Sequence, residues 1–168
     1  GTSKFYNHFF HNYRVRNHVN DDLDEVVRNL LLLRPLERER KLIMTTDFRL
    51  YVTEQETAEF KSYMEQKGIN FSRFIVVCTP FTRVAGKAWD MAKMKEILSR
   101  IIQRYGAQLI FNYSRIEKEA ALALYEDMGK DEHIFIDIEA DSLRKLVSML
   151  EIADFFFGNE GGPRHIAQ

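Results

Sequence analysis

Two loops of this sequence carry side chains suited to holding a phosphate group. The first follows a continuously apolar run at residues 74–78 and contains Thr82, Arg83 and Lys87. Lys87 is a compact point charge near the start of a predicted helix, which suits a diphosphate, and the Thr82 hydroxyl could donate to a phosphate oxygen. The alternative is a solvated loop lysine. Trp89, which follows, is predicted to be an ordinary packing residue.

The second loop follows the last apolar run of the chain. Gly161 and Gly162 let the backbone approach a ligand closely, and Pro163 suits the first turn of a helix. A helix that begins there would point unpaired N–H groups at a phosphate, while Arg164 and His165 add charge and a directed hydrogen bond. The alternative is a plain turn with a solvated arginine and a helix-terminal histidine.

A third candidate is Glu117, which lies near the start of another predicted helix. Its carboxylate could accept hydrogen bonds from the hydroxyls of a ribose, or it could simply pair with the positive end of the helix dipole. The residues alone leave both roles open.

Other kinds of chemistry find little support in the sequence. Neither phosphate-suited loop has the glycine pattern of a Rossmann dehydrogenase or of a P-loop NTPase, so both classes are disfavoured. Cys78 lies inside an apolar run and is predicted to be a buried, inert residue rather than a nucleophile. The histidines of the first 20 residues have irregular spacing, which is a weak metal signal, and nothing else demands a metal.

The elements that must position these loops are short apolar runs that alternate with amphipathic segments, a pattern typical of βαβ units and a parallel sheet. We predict an α/β fold with a Rossmann-like parallel sheet and flanking helices. The predicted strands lie at residues 74–78, 108–111, 133–138 and 154–158, the predicted helices at residues 90–105, 116–128 and 143–150. The first and last strands are almost wholly apolar, which favours central positions. If the strand order is 3-2-1-4, the two phosphate-suited loops face one crevice.

The first seventy residues have a different pattern. Apolar residues from Leu23 predict a helix that ends near Pro35, residues 47–52 predict a short strand, and Thr53 with Glu56 predicts a capping box that opens a helix to Gly68. Residues 1–20 are rich in aromatic side chains and predict an arm that packs on another domain or subunit.

The composition sets outer limits on the function. The chain has 168 residues, 24 Lys and Arg against 25 Asp and Glu, and one cysteine. The balanced charge argues against a nucleic-acid partner held by a basic field, and one cysteine argues against a disulfide-framed secreted scaffold. No apolar run approaches the roughly 20 residues that span a bilayer. We therefore expect a cytoplasmic protein.

Taken together, these residues resemble glycosyltransferase family 9, the ADP-heptose:lipopolysaccharide heptosyltransferases. The resemblance rests on three features in order: residues 87–89, Glu117, and residues 159–167. Residues 24–36 also look like the segment that links the two domains of the family, so the resemblance extends from about residue 20 to the end of the chain.

The resemblance implies a GT-B fold, in which two Rossmann-like domains face each other across a cleft and the C-terminal one holds a nucleotide-sugar donor such as ADP-heptose. After the aromatic arm at residues 1–20, it implies two parts of this chain: an interdomain linker with its helices at 21–70 and a partial donor-binding domain at 71–168. The positions that match the donor site, with the basic neighbours noted above, are Thr82, Arg83, Lys87, Glu117, Glu160, Gly161, Gly162, Arg164 and His165.

The resemblance further implies an inverting enzyme that needs no metal or cofactor. A carboxylate base would deprotonate the hydroxyl of a lipopolysaccharide or other envelope glycan acceptor. The full enzyme is expected to associate peripherally with the inner face of the membrane. That base is expected in an N-terminal acceptor domain that the chain does not include, so the catalytic residue is unknown and the fragment is expected to be inactive alone.

Two departures from the family pattern lead to alternatives. Glu160 stands where the family usually has Asp, and Gly161 where it has Thr or Ser, so that Arg164 would have to compensate in phosphate binding. An unfinished sheet edge also invites pairing with another copy. One alternative is therefore a non-catalytic remnant that binds a partner or self-associates through the edge or the aromatic arm. Another is a nucleotide-sugar epimerase.

Overall fold

The computed structural model describes residues 24–37, 40–43, 45–47 and 49–168, and the chain forms two compact units, Gly1–Arg49 and Leu50–Gln168. In the first unit, helix α1 spans Glu25–Leu31 and helix α2 spans Arg34–Glu37. Asp24 caps α1 by accepting a hydrogen bond from the Val26 N–H at 2.8 Å. The first helix thus ends before Pro35, as predicted. The predicted aromatic arm lies outside the described residues.

The predicted strand at residues 47–52 is wrong. Residue 47 and residues 49–52 are all irregular. The Asp47 carboxylate accepts hydrogen bonds from the backbone N–H and the side chain of Arg49, at 3.2 and 2.8 Å. Such local bonds compete with the ladder bonds of a strand, which accounts for the difference.

The second unit begins with helix α3, Glu54–Gln66, and its predicted capping box is confirmed. The Thr53 hydroxyl accepts from the Glu56 N–H at 3.2 Å, and a Glu56 carboxylate oxygen accepts from the Thr53 N–H at 2.8 Å. The chain then enters a four-stranded parallel sheet in the order β3-β2-β1-β4, the order in which the two phosphate-suited loops would face one crevice. The strands are β1, Ile75–Thr79; β2, Gln108–Phe111; β3, Ile134–Phe135; and β4, Phe155–Gly158.

The prediction that β4 is a central strand is wrong. Strand β1 is buried along its whole length, whereas β4 lies at the edge of the sheet and Phe155 is 53% exposed. An apolar run predicts burial, but it does not say how many neighbours a strand has. Strand β3 is also shorter than residues 133–138, because only two of its residues pair with β2.

Three crossover helices connect the strands close to their predicted bounds: α4, Met91–Tyr105; α5, Lys118–Asp127; and α6, Leu143–Ile152. Asp90 and Ser142 cap the N-termini of α4 and α6 through their side chains. Gly106 ends α4 with φ of 58°, in the left-handed region that glycine adopts at little cost. A last short helix, α7, spans Gly162–Ala167.

The helices bury both faces of the sheet. Helices α4 and α5 cover one face, where Leu98 packs with Val76 and Leu109. Helices α3 and α6 cover the other, where Met64 and Met149 form a second cluster with neighbouring strand residues. Each such side chain contributes about 1.5 to 3 kcal/mol when it leaves water, so these two layers hold the strand ends in fixed positions. Across the described parts of the chain, no helix is long and apolar enough to cross a membrane.

Candidate functional site

A cavity of about 480 Å³ opens at the carboxyl ends of β1, β2 and β4. It lies where the strand order reverses, because β2 and β4 flank β1 on opposite sides. This is the position at which open parallel sheets bind ligands. The lining of the cavity includes seven of the nine residues predicted to bind a donor: Thr82, Arg83, Lys87, Glu117, Glu160, Gly161 and Gly162.

Lys87 and Glu160 meet at this cavity from the two predicted loops. A short 3-10 turn, Ala85–Lys87, brings the Lys87 Nζ to 2.7 Å from Glu160 Oε1. The hydrogen bond and charge of Lys87, helped by the charges of Arg164 and His165, hold the pKa of Glu160 below its usual range. Both side chains remain about half exposed, 49% for Lys87 and 42% for Glu160, so a ligand anion can reach the ammonium group.

Glu117 has the structural role that the sequence left open. A 3-10 turn, Arg115–Glu117, returns its carboxylate to Ser114, where Oε2 accepts from the backbone N–H at 2.7 Å and from the hydroxyl at 2.6 Å. Glu117 therefore stabilises the start of its own helix. It also lines the cavity, so its predicted role toward a ribose stays a prediction.

Arg164 and His165 lie apart from the other predicted residues. Both are exposed on α7, and Arg164 lines a different cavity beside Asp154 and Phe155 at the edge of the sheet. Their link to the first cavity is electrostatic, through the lowered pKa of Glu160.

Asn159, a buried polar residue between the two loops, belongs to the stretch at residues 159–167 that carries the family resemblance, but no role for it followed from the sequence. Its side chain is only 7% exposed and forms two hydrogen bonds to the first loop: Oδ1 accepts from the Trp89 N–H at 2.9 Å, and Nδ2 donates to the Pro80 carbonyl at 2.6 Å. Trp89 also packs edge-on against Phe157, with ring centroids 6.1 Å apart, which confirms its packing role. The sequence offered one signal, an asparagine directly after an apolar run. Because buried asparagine is uncommon, an asparagine at such a position indicates a specific hydrogen-bonding role.

Gly158 and Thr79 form the closest approach of β1 and β4 at the cavity. A Cβ on Gly158 would lie 2.1 Å from Thr79 Oγ1 and 2.5 Å from the Thr79 carbonyl oxygen. Only glycine fits there. Thr79 itself is 7% exposed and lines the cavity, and its buried Oγ1 has no hydrogen-bond partner among the described residues.

Two further features bear on the chemistry. Within the residues that the structure describes, no group of three or more His, Cys, Asp or Glu side chains could hold a metal ion. Cys78 is fully buried, and burial raises the pKa of its thiol, which confirms that it is unsuited to nucleophilic attack.

Comparison with known proteins decides the family. The model of glycosyltransferase family 9 (heptosyltransferase) matches residues 1–168. The chain belongs to glycosyltransferase family 9. No curated protein matches the sequence.

Two solved structures share the family 9 fold. One is a family 9 glycosyl transferase from Veillonella parvula DSM 2008, with 14% identity and a TM-score of 0.71, matched over 99% of this chain and 46% of its own. The other is ADP-heptose lps heptosyltransferase II from E. coli, with 17% identity and a TM-score of 0.59, matched over 74% of this chain and 38% of its own. The chain thus spans less than half the length of either structure. The Rossmann-like α/β fold expected from the sequence is confirmed.

Proposed function

We propose that this family 9 chain is the donor-binding portion of a heptosyltransferase-like enzyme. Its full form would transfer a sugar from a nucleotide-diphosphate sugar, such as ADP-heptose, to a lipopolysaccharide or other envelope glycan acceptor. The observation that carries the proposal is the cavity beyond β1, β2 and β4, where Lys87 and Arg83 stand beside the backbone of Gly161 and Gly162. Cations and closely approaching backbone are what a diphosphate requires.

In this proposal the donor diphosphate replaces Glu160 as the partner of Lys87. The 2.7 Å ion pair shows that an anionic oxygen fits against the ammonium group in this geometry. The Thr82 hydroxyl, also in the lining, would donate to a second phosphate oxygen. Glu117 would offer its carboxylate to the ribose while its Oε2 remains bonded to Ser114.

The proposed reaction is an inverting transfer that needs no metal. A base outside this chain removes the proton of the acceptor hydroxyl, the oxygen attacks the anomeric carbon, and the bond to the diphosphate breaks on the opposite face. The bonding electrons leave with the diphosphate, whose added charge Lys87 and Arg83 would stabilise. We place the enzyme in the cytoplasm at the inner face of the membrane, because the single cysteine suits a reducing compartment.

Calorimetric titration of the chain with ADP and ADP-sugars tests the donor site. Lys87→Ala should weaken the binding of ADP by about 1.5 to 3 kcal/mol, because a charge-assisted hydrogen bond is lost. Lys95→Ala is the matched control, since it also breaks a lysine–carboxylate pair of 2.7 Å, with Asp127, at a place outside the cavity. If the folded chain fails to bind ADP and ADP-sugars even at millimolar concentration, the proposal is overturned.

One observation favours a second candidate function, self-association without catalysis. In the described sheet, β4 pairs with β1 on one side alone, and Phe155 is 53% exposed there. An unpaired edge of this kind can pair with a second copy. Light scattering together with the ADP titration separates the candidates: a discrete oligomer that does not bind ADP supports the second, and a monomeric chain that binds ADP eliminates it.

A further inference from the structure

We propose that Asn159 is a positioning residue of the donor site. Its side chain holds the loop at residues 80–90 against the loop at residues 158–163, and so determines where Lys87 lies relative to a bound diphosphate. This inference rests on the proposed donor function. Asn159 lines the cavity, and the role assigned to it acts through the position of Lys87.

Asn159 connects the end of β1 and both ends of the first loop. Its side chain reaches both ends of the first loop, since it donates to the Pro80 carbonyl at 2.6 Å and accepts from the Trp89 N–H at 2.9 Å. Its own backbone N–H donates to the Thr79 carbonyl at 2.9 Å and continues the sheet by one bond. Lys87 lies between the two anchored points, two residues before Trp89. The anchor therefore restrains the loop at the positions that decide the direction of Lys87.

The remaining restraints on this loop are weaker. Within it, the Lys87 N–H donates to the Val84 carbonyl at 2.8 Å, and the Val84 N–H lies 3.4 Å from the Thr82 hydroxyl. Both bonds fold the loop on itself and do not tie it to the sheet. The Trp89 ring adds an edge-on contact with Phe157, but the tryptophan is 41% exposed. Phe81 packs against the core at the start of the loop, and Lys87 pairs with Glu160 near its end. The segment that follows Lys87 is tied to the sheet chiefly through Asn159, which accepts from the Trp89 N–H.

Asparagine suits this task because its amide both donates and accepts. An aspartate of the same shape would turn a charged oxygen toward the Pro80 carbonyl, and alanine would leave both backbone groups without a partner in a buried place. Glu160 follows directly in the chain and pairs with Lys87, so the same short segment provides the anchor and the anion that holds the lysine in the unliganded protein.

The chain offers a matched control in Gln108. This amide is also buried, 3% exposed, and also forms two backbone hydrogen bonds, to the N–H and the carbonyl of Asn70, each at 2.8 Å. It lies at the first residue of β2, at the opposite end of the sheet from the cavity. Gln108→Ala therefore removes the same kind and number of bonds as Asn159→Ala without touching either loop.

Two readouts are measured on both variants of the 168-residue chain: the ADP dissociation constant and the fluorescence of Trp89, the only tryptophan. Both variants should lose thermal stability. We expect Asn159→Ala to raise the ADP dissociation constant about tenfold or more, and to shift the Trp89 emission to longer wavelength with stronger acrylamide quenching. Gln108→Ala should leave both readouts at their wild-type values. Asn159→Ser, which keeps a smaller donor and acceptor, serves if the alanine variant does not fold.

The outcomes separate this inference from the proposed function. If the wild type binds ADP and the Asn159 variant binds it within twofold, the inference is overturned while the donor site stands. If the wild type does not bind ADP, the proposed function and the link to the donor fall together, and the Trp89 emission then decides whether Asn159 fixes the loop. An unchanged Trp89 emission in Asn159→Ala would show that Asn159 does not fix the loop either.

Discussion

The two ends of the sheet treat their polar groups in different ways. At the amino end, Gln108 exchanges two hydrogen bonds of 2.8 Å with the backbone of Asn70. Nearby, the Asp154 carboxylate accepts from the Ile75 N–H at 2.8 Å while the Asp154 N–H donates to the Ile75 carbonyl at 3.0 Å. These groups satisfy each other in closed pairs.

At the carboxyl end, the pairs surround a cavity instead of closing it. Asn159 bonds outward to two points of a neighbouring loop, Lys87 and Glu160 meet at a half-exposed position, and Thr79 Oγ1 has no partner in the described structure. The two ends of one parallel sheet thus differ in how their polar groups are satisfied. Residues at the amino end complete the fold, and those at the carboxyl end leave charge and backbone open where the proposed donor would bind.

The strongest test of this separation is at Gly158, where the fold itself extends into the site. Gly158→Ala should lower the free energy of unfolding by about 3 kcal/mol or more, because the new Cβ meets the Thr79 backbone and must push β1 and β4 apart. Equilibrium denaturation in urea measures the loss. Gly162→Ala is the control, since nothing lies within 4 Å of its Cβ, and it should stay within about 0.5 kcal/mol of the wild type. Equal stability of the two variants would contradict the close approach.

A second test removes a closed pair at the amino end. Asp154→Ala leaves the buried N–H of Ile75 without its acceptor and should cost about 1 to 3 kcal/mol of stability. Asp154→Asn keeps an acceptor oxygen and should recover most of that loss. The affinity for ADP, measured by calorimetry, should be unchanged in both variants. A loss of ADP affinity in Asp154→Ala would show that the two ends are coupled and would break the comparison.

The smallest effect concerns an ion pair between α3 and α6, outside the cavity. Arg144 on α6 and the Thr53 cap lower the pKa of Glu56 to about 2. Because the unfolded chain binds this proton first, near pH 4.5, the pair stabilises the fold above that pH, and its contribution is lost as the pH falls toward 2. As the pH is lowered from about 4.5 to about 2, the unfolding midpoint should fall more steeply in the wild type than in Glu56→Gln.

Glu59→Gln provides the control for that measurement. Glu59 lies on the same helix, but its carboxylate bonds to the side chain of Gln55, at 2.8 Å, rather than to an arginine. Its variant should follow the wild-type curve. If Glu56→Gln also follows that curve, the pair with Arg144 does not determine how the unfolding midpoint falls with pH.

Much of the fold could be predicted from the sequence, because local signals define its elements. Gly106 marks the end of α4, the Thr53 and Glu56 pair marks the start of α3, and the alternation of apolar and amphipathic segments predicts the parallel sheet, though not its strand order. The place of β4 was missed because the number of neighbours of a strand depends on the whole sheet. The strand predicted at residues 47–52 was wrong because Asp47 bonds locally to Arg49.

The candidate site was predictable in its charged members and not in its anchor. Lys87 and Glu160 stood out because glycines and basic residues follow apolar runs at places that one strand order brings together. Asn159 gave only a faint signal, since both of its backbone partners lie about seventy or more positions away in the chain. The self-capping of Glu117 by Ser114 could be inferred from spacing, but spacing alone does not show whether a carboxylate also serves a ligand.

The solitary cysteine gives the protein a built-in chemical probe. Cys78 lies within β1 with no exposed surface, and its thiol is held in the protonated, unreactive form. Alkylating reagents can therefore modify it only when the middle of the sheet opens, so the labelling rate measures that opening directly. A new cysteine placed on the exposed loop would react alone in the native protein, which allows a dye to be attached beside the cavity without removing Cys78.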